Sequence, residues 1–240
     1  MGRHGTIAGR KAAQDSKRAA MFTKYARAIT VAAKNGGDPE YNATLRVAID
    51  KAKAISMPND NIKRAIKKGT GELAGETYEE LSFEGYGVGG VAVIVETLTD
   101  NRNRTTAAVR STFSKYGGNL GTPGCVSYNF ARKGVIIIDA EGLDEDEVME
   151  VALEAGADDM IVEEDSFEIQ TEPDVYTDVH EAIQAAGYEI VSSEIEYVPS
   201  VEAAPKDEHD MKQLKKMIDI LEENDDVQKV HHNCSVDLED

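Results

Sequence analysis

The chain has 240 residues, of which 41% are hydrophobic, and it carries a formal net charge of −19. This length suits one large domain or two to three small ones, and the apolar share is sufficient for ordinary hydrophobic cores. The sequence contains no run of 18 apolar residues and no apolar signal core near its start, so we expect a cytoplasmic protein without a membrane span. The two cysteines, Cys125 and Cys234, are too few for a disulfide framework and lack zinc-site spacing, so we expect free thiols.

Charge is distributed very unevenly along the chain. Residues 1–75 contain 15 Lys and Arg against 6 Asp and Glu, which is a net charge of +9. Residues 76–240 contain 11 Lys and Arg against 39 Asp and Glu, which is −28. A basic module carried on an acidic body indicates that the module binds a polyanion such as nucleic acid.

The basic segment is predicted to form three amphipathic helices. Apolar residues recur at helical spacing between residues 15 and 37 and again between residues 41 and 56. A third helix is predicted to begin at Asn59 or Asp60, either of which can cap the first turn, and to end at Gly69 as a C-cap with a hinge behind it. Three short helices with short connections predict a small bundle.

The third helix concentrates positive charge on one side. At 100° per residue, its basic side chains fall on an arc of about 140°, and its apolar residues lie opposite. These basic residues are Lys63, Arg64, Lys67 and Lys68. Lysines in a last turn also complement the helix dipole, at about 0.3–1 kcal/mol each, but this does not explain the further basic residues at the start of the module. We therefore interpret the module as a phosphate-binding surface.

The rest of the chain alternates between strands and helices. The pattern predicts a strand within residues 90–99, a helix within 101–118 and a strand within 124–130. Residues 134–200 read as strand, helix, strand, strand, helix and strand, which is the order of the split βαβ or ferredoxin-like arrangement. One more helix and one more strand follow a polar linker, and we expect them to return and complete the middle unit.

These patterns predict an α+β multidomain fold with three parts. The first is a basic helical domain, a three-helix bundle, of residues 1–75. The second is a central α+β domain formed by residues 76–133 plus 204–240. The third is an inserted acidic, ferredoxin-like α+β domain of residues 134–203.

A second basic cluster contains Arg102 and Arg104 at the predicted start of a helix. Basic residues at a helix N-terminus oppose the helix dipole, so stability alone is a poor explanation for them. The unpaired amides at such a terminus suit a phosphate or a carboxylate. Two explanations stay open here, a nucleic-acid contact and an intramolecular salt bridge to the acidic insertion.

No catalytic or metal-binding pattern emerges from the residue spacing. His232 and Cys234 would share one face of a strand while His231 points away, and no fourth ligand accompanies them. The glycines after the third helix do not form a nucleotide-binding loop, because that loop joins a strand to a helix. We therefore expect no enzyme activity, no cofactor and no metal.

The residues discussed above resemble the YebC/PmpR family of bacterial regulatory proteins, whose mitochondrial relatives are translational activators. The resemblance rests on "RKAAQDSKRAAMFTKYARAITVAAKNGG" and the continuation to residue 72, on "FEGYGVGGVAVIVETLTDNRNRTTAAVRSTFSKYGGNLG", and on "GCVSYNFARKGVI". It implies three domains and a DNA-binding transcriptional regulator. The chain departs from the family at its first residues, where it reads "MGRHGTIAGRK" rather than "MAGHSKWANIK".

The resemblance and the charge pattern together predict a non-enzymatic nucleic-acid-binding regulator that acts on duplex DNA. A ribosome-associated translation factor that binds ribosomal RNA is the alternative, and an adaptor that binds acidic proteins is a further one. The acidic insertion would limit nonspecific binding or engage a protein partner. The predicted nucleic-acid-binding residues are Arg10, Lys11, Lys17, Arg18, Lys24, Lys63, Arg64, Lys67, Lys68, Arg102 and Arg104.

Overall fold

A computed structural model describes the backbone of residues 18–236 and 238 and the side chains from residue 21 onward. Three helices come first: α1 (Arg18–Ala32), α2 (Ala43–Ala54) and α3 (Asn59–Gly69). They are followed by β1 (Glu79–Tyr86), β2 (Ala92–Thr99), α4 (Arg102–Lys115) and β3 (Asn119–Leu120). Next come β4 (Phe130–Asp139), α5 (Glu145–Glu154), β5 (Asp159–Val162), β6 (Ser166–Thr171), α6 (Tyr176–Ala185) and β7 (Ile190–Pro199). The final elements are α7 (Glu208–Glu223) and β8 (Val227–His232).

Helices α1, α2 and α3 pack around one hydrophobic core. Ile29 from α1, Leu45 and Ala52 from α2, and Ala65 from α3 are all buried in it. The side chain of Asn42 caps α2 by accepting a hydrogen bond from the amide of Leu45 at 3.0 Å. The predicted capping of α3 by Asn59 or Asp60 is wrong, because Pro58 is the N-cap and both residues lie inside the helix.

Gly69 has a different role from the predicted C-cap. It is the last residue of α3, and the C-cap is Thr70. A Cβ at Gly69 would lie 2.3 Å from the carbonyl oxygen of Thr30 and 2.6 Å from the Cβ of Ala33. Gly71, with φ +83, is the residue in the left-handed region. The lack of a side chain at Gly69 therefore allows α3 to pack closely against α1, and Gly71 turns the chain away from the helix.

The first sheet has the strand order β3-β1-β2-β8, and all its pairs are antiparallel. Helices α4 and α7 pack on one face of this sheet, where Phe113 and Leu214 contact Val93 and Val95 in a buried core. Strand β8 pairs with β2, for example Val95 with Val230, although the whole second sheet lies between them along the chain.

The structure corrects two strand predictions around this sheet. Strand β1 was not predicted, and no strand occupies residues 124–129, where Ser127–Asn129 forms a 3₁₀ turn. The cause is Glu84 of β1, whose buried carboxylate accepts hydrogen bonds from the amides of Gly124, Val126 and Ser127 at 2.8, 2.9 and 2.9 Å. These amides bind a carboxylate, and the predicted pairing with a neighbouring strand does not form.

The second sheet has the strand order β5-β6-β4-β7, again with antiparallel pairs. Side chains of α5 and α6, such as Val148 and Ile183, pack with Ile136 and Ile169 of the sheet in its core. Strand β4 passes through the predicted boundary between residues 133 and 134, so that boundary falls within a strand. The described chain is thus a mixed α+β protein with seven α-helices and two antiparallel sheets, consistent with a multidomain α+β fold.

Within the described part of the chain, no helix combines the length and apolar character needed to cross a bilayer.

Candidate nucleic-acid interface

Helix α3 presents a basic face to solvent. Ile62 and Ala65 are buried against α1 and α2, and this packing directs the opposite side of the helix outward. Lys63, Arg64 and Lys67 are exposed there. Within residues 18–236 and 238, none of these three side chains makes a hydrogen bond or an ion pair. We call Lys63, Arg64, Lys67 and Lys68 the α3 basic face.

Two further predicted cations make only loose surface pairs. The Nζ of Lys68 lies 3.6 Å from a carboxylate oxygen of Glu76, and a guanidinium nitrogen of Arg102 lies 4.0 Å from one of Glu79. The side chain of Arg102 is 68% exposed. Such pairs contribute about 0–1 kcal/mol and are screened by salt, so both cations can exchange their partner for a phosphate.

Other predicted cations are bound inside the molecule. The Nζ of Lys24 donates to the carbonyl oxygen of Glu222 at 2.7 Å. Arg104 pairs with Asp100 at 2.7 Å and with Asp226 at 2.8 Å. The sequence had left open a salt bridge from this cluster to the acidic insertion. That partner was wrong for Arg104, because Asp100 and Asp226 both lie outside residues 134–203.

Asp226 is the centre of a buried junction between three elements. It precedes β8 and is 4% exposed, and its carboxylate accepts hydrogen bonds from Arg27 of α1 at 2.5 Å, Arg104 of α4 at 2.8 Å and the hydroxyl of Thr105 at 2.7 Å. Arg27 also donates to the carbonyl oxygen of Leu98 at 3.0 Å. We call Asp226, Arg27, Arg104 and Thr105 the Asp226 junction. It joins α1 to the first sheet and its helices.

The electrostatics of the Asp226 junction favour its ionised form. Burial alone would raise the pKa of Asp226, but the hydrogen bonds from Thr105, Arg104 and Arg27 outweigh it, and the pKa is lowered. The same carboxylate, with that of Asp100, raises the pKa of Arg104. Both charges are therefore retained at neutral pH, and the guanidinium of Arg104 is already committed to two carboxylates.

A second set of ion pairs joins α2, β7 and β8. Glu194 of β7 pairs with Lys51 of α2 at 3.4 Å and with Lys229 of β8 at 2.6 Å, and Lys229 also reaches Glu196 at 3.0 Å. Burial would raise the pKa of Glu194, but the two lysines lower it to about 2. These pairs lie beside a cleft of about 670 Å³ between the helices α1 and α2 and the two sheets. The bundle is thus held by charge contacts on two sides.

The remaining predicted residues fall at the beginning of the chain. Arg10, Lys11 and Lys17 lie outside the described residues. Arg18 is the first residue of α1, and its side chain also lies outside the described part. Their predicted contribution to nucleic-acid binding stays a prediction.

The histidines near the end of β8 have structural partners. His231 is 4% exposed, and its Nε2 lies 2.9 Å from a carboxylate oxygen of Glu96. A ring nitrogen of His232 accepts a hydrogen bond from the amide of Cys234 at 3.3 Å. Among the residues that the structure describes, no group of three His, Cys, Asp or Glu side chains is placed to hold a metal ion.

Sequence reasoning missed the central role of Asp226. Its partner Arg104 is 122 residues away along the chain, and no local pattern marks an acidic residue in "ENDDVQ" as buried. The exposed Tyr128 was missed as well, because its segment was assigned to a strand. In the sequence, Val126, Tyr128 and Phe130 alternate with polar residues as in a strand, but in the structure Val126 and Phe130 are buried and Tyr128 is exposed.

The fold places the chain among multidomain α+β proteins with a basic helical segment. Comparison with protein families shows that the chain belongs to the TACO1/YebC family: residues 3–72 match the TACO1/YebC N-terminal domain, and residues 78–234 match the second and third domains. The family resemblance stated from the sequence is therefore confirmed.

Individual relatives are similar over nearly the whole chain. A probable transcriptional regulatory protein of Clostridioides difficile is 56% identical over 99% of this chain and 100% of its own length. A protein of the same description from Listeria monocytogenes is 53% identical over 96% of each chain. The crystal structure of a conserved hypothetical protein from Aquifex aeolicus has a TM-score of 0.83 and 46% identity, covering 92% of each chain.

Proposed function

We propose that this protein is a non-enzymatic regulator that binds duplex DNA through its helical segment and so modulates transcription. The observation that carries the proposal is the α3 basic face. A chain with a net charge of −19 keeps Lys63, Arg64 and Lys67 exposed on one side of one helix, without an ion pair in the described part of the chain. The names of the relatives add support for transcription as the process.

The chemistry of the α3 basic face suits the phosphate backbone. Each lysine or arginine that neutralises a phosphate releases condensed counterions, so affinity falls steeply as the salt concentration rises. Such contacts position a protein on the duplex but carry no sequence information. The α3 basic face would therefore supply affinity and orientation, together with Arg102 on α4.

We further propose the three-domain division predicted from the sequence. The shared core of α1, α2 and α3 supports a helical domain, and the pairing of β8 with β2 supports a central domain formed from two chain segments. The order β5-β6-β4-β7 supports a ferredoxin-like insertion. Because β4 begins at Phe130, we place the boundary before that residue. The acidic insertion would limit nonspecific binding.

The test is a charge reversal with a matched control. The double substitution K63E/K67E reverses two exposed lysines one helical turn apart on α3. The control, K212E/K216E, reverses two exposed lysines at the same spacing on α7. Affinity for duplex DNA is measured as a function of salt concentration. We expect K63E/K67E to lower the slope of log affinity against log salt by about 1.8, at about 0.9 per lost phosphate contact, and the control to leave it unchanged.

Two outcomes would count against the proposal. If the wild type does not bind duplex DNA at low salt, the protein does not act through DNA. If both double variants weaken binding equally, the effect comes from net charge and α3 is not the contact surface. Binding to purified ribosomes without binding to DNA would move the target to ribosomal RNA.

A further inference from the structure

Two exposed tyrosines lie side by side at one end of the first sheet. Tyr86, the last residue of β1, is 37% exposed, and Tyr128 in the loop before β4 is 78% exposed. Their hydroxyl oxygens are 3.5 Å apart, and the hydroxyl of Tyr86 donates to the carbonyl oxygen of Cys125 at 3.0 Å. The Tyr86 hydroxyl thus has a structural partner. The ring of Tyr128 remains largely in solvent, so packing does not explain an aromatic residue at this position.

The backbone that carries Tyr128 is firmly anchored on both sides. Val126 and Phe130 are buried against Ala92 and Ile94 of the first sheet. The amides of Val126 and Ser127 donate to the carboxylate of Glu84, as described above. After Tyr128, the carbonyl oxygen of Asn129 accepts a hydrogen bond from the amide of Ser200 at 2.8 Å. A ring held by an ordered backbone loses little conformational entropy when a ligand packs on it.

The charge of the surrounding sequence indicates what kind of ligand this is. Residues 101–138, which contain α4 and the loop of Tyr128, include six Lys and Arg and no Asp or Glu. Three of these cations, Arg102, Arg104 and Lys133, pair with carboxylates from other parts of the chain. The other three, Arg110, Lys115 and Arg132, form no ion pair within the described residues. At the average density of acidic residues in this chain, a segment of that length would contain about seven. Aromatic rings combined with accessible positive charge are features that bind single-stranded nucleic acid, whose unpaired bases stack on the rings.

We propose that Tyr128, supported by Tyr86, is a stacking site for an unpaired base of single-stranded nucleic acid. The inference rests on the proposed function, because it adds a base contact to the phosphate contacts of the α3 basic face. A site of this kind would take a strand that is locally open. It would accept any base, since every base offers a flat face to the ring.

The test compares a single-stranded thymidine oligonucleotide of about 12 residues with an abasic oligonucleotide of the same length and charge, a length within the span that one such binding domain covers. Affinities are measured at low salt for the wild type, Y128A and Y128F. Y41A is the control, because Tyr41 is also an exposed tyrosine, at 88%, and lies on the connection between α1 and α2. We expect the wild type to prefer the thymidine strand about tenfold, equivalent to about 1.4 kcal/mol.

Y128A should bind both oligonucleotides equally, with an unchanged salt slope, because it removes the ring and no charge. Y128F keeps the ring and should retain the preference, and Y41A should behave like the wild type. The proposal is overturned if the wild type does not distinguish the two strands or if Y128A retains the preference. In either case, salt-dependent duplex binding that is lost in K63E/K67E would leave the proposed function standing. If the wild type binds neither single strands nor duplex DNA, both proposals fail.

Discussion

The α3 basic face and the Asp226 junction use the same kinds of residue in opposite ways. On α3, Lys63, Arg64 and Lys67 point into solvent, and the described part of the chain offers them no carboxylate. At the junction, Arg27 and Arg104 both donate to one buried carboxylate. The first arrangement leaves positive charge for an external anion, whereas the second uses it to hold α1 against the first sheet.

This difference shows that the count of basic residues in a segment overstates what a ligand can reach. Arg27 contributes to the charge of +9 in residues 1–75, but its guanidinium donates hydrogen bonds to Asp226 and to the carbonyl oxygen of Leu98. The ammonium group of Lys24 likewise donates a hydrogen bond to the carbonyl oxygen of Glu222. Accessible charge is set by tertiary contacts, and the following changes would separate the two arrangements further.

The largest effect is expected from D226N, which removes the negative charge from the Asp226 junction. Two guanidiniums would then face a neutral amide in a buried site, and breaking a buried ion pair in this way destabilises a protein by about 3–5 kcal/mol. Because the side chain of Arg104 is 50% exposed and can rehydrate, we expect about 3 kcal/mol. Urea unfolding would measure it, with D225N at the exposed neighbouring residue as the control. A loss below about 1 kcal/mol would show that the junction is not structural.

G69A tests the packing that orients the α3 basic face. The added methyl group would collide with Thr30 and Ala33 of the neighbouring bundle core, and overpacking of this kind destabilises by about 1–3 kcal/mol. G71A is the comparison, because a Cβ there meets no atom within 4 Å and adds only left-handed backbone strain of about 1 kcal/mol. Thermal unfolding would rank the two variants. Equal midpoints would show that α3 can shift away from α1 and relieve most of the collision.

The stabilisation by the Asp226 junction should depend on pH. The pKa of Asp226 is lowered from its ordinary value of 3.8, so its contribution to stability is present above that value and is lost as the pH falls through the lower folded value. The stability difference between the wild type and D226N should therefore be constant above about pH 5 and shrink below about pH 4. Unfolding midpoints from pH 7 to pH 2 would show this. A difference that stays constant throughout would mean that Asp226 does not stabilise the fold through its charge.

The smallest effect on stability is expected from K63Q/K67Q. Both lysines are exposed and unpaired within the described residues, so the free energy of unfolding should change by less than about 0.5 kcal/mol. The same variant should weaken salt-dependent binding to duplex DNA. Unfolding in urea and binding titrations on one preparation would test both statements. A large loss of stability would contradict the description of α3 as a face reserved for a ligand.

Local pattern predicted the helices of the basic segment well and the first sheet less well. The apolar residues that recur at helical spacing in the sequence of α2, including Leu45, Ile49 and Ala52, are buried. Strand β1 escaped prediction because it carries a buried acid, Glu84, and a glycine, Gly85, which break the apolar alternation of a strand. The same Glu84 then determines the conformation of residues 124–127. One buried carboxylate thus accounts for the two errors.

The candidate site was predictable only where charge follows helical periodicity. The spacing of Lys63, Arg64 and Lys67 is sufficient to place them opposite Ile62 and Ala65. The fate of Arg104 was not predictable, because its partner Asp226 approaches through the pairing of β8 with β2. Contacts of that kind depend on the complete tertiary fold, and a single sequence contains no local signal for them.

The pairing of β8 with β2 also sets an order of events during synthesis. Strand β2 emerges early, but its neighbour β8 and the core helix α7 are made only after the entire second sheet. The three helices of the bundle and the strands β4 to β7 are each continuous in sequence and can assemble as they appear, whereas long-range pairing is slow. Until β8 is synthesised, one edge of β2 has no paired strand. The pairing of β8 with β2 then places Asp226 beside Arg27 and Arg104. The ion pair between Arg27 of the bundle and Asp226 is therefore among the last contacts to form.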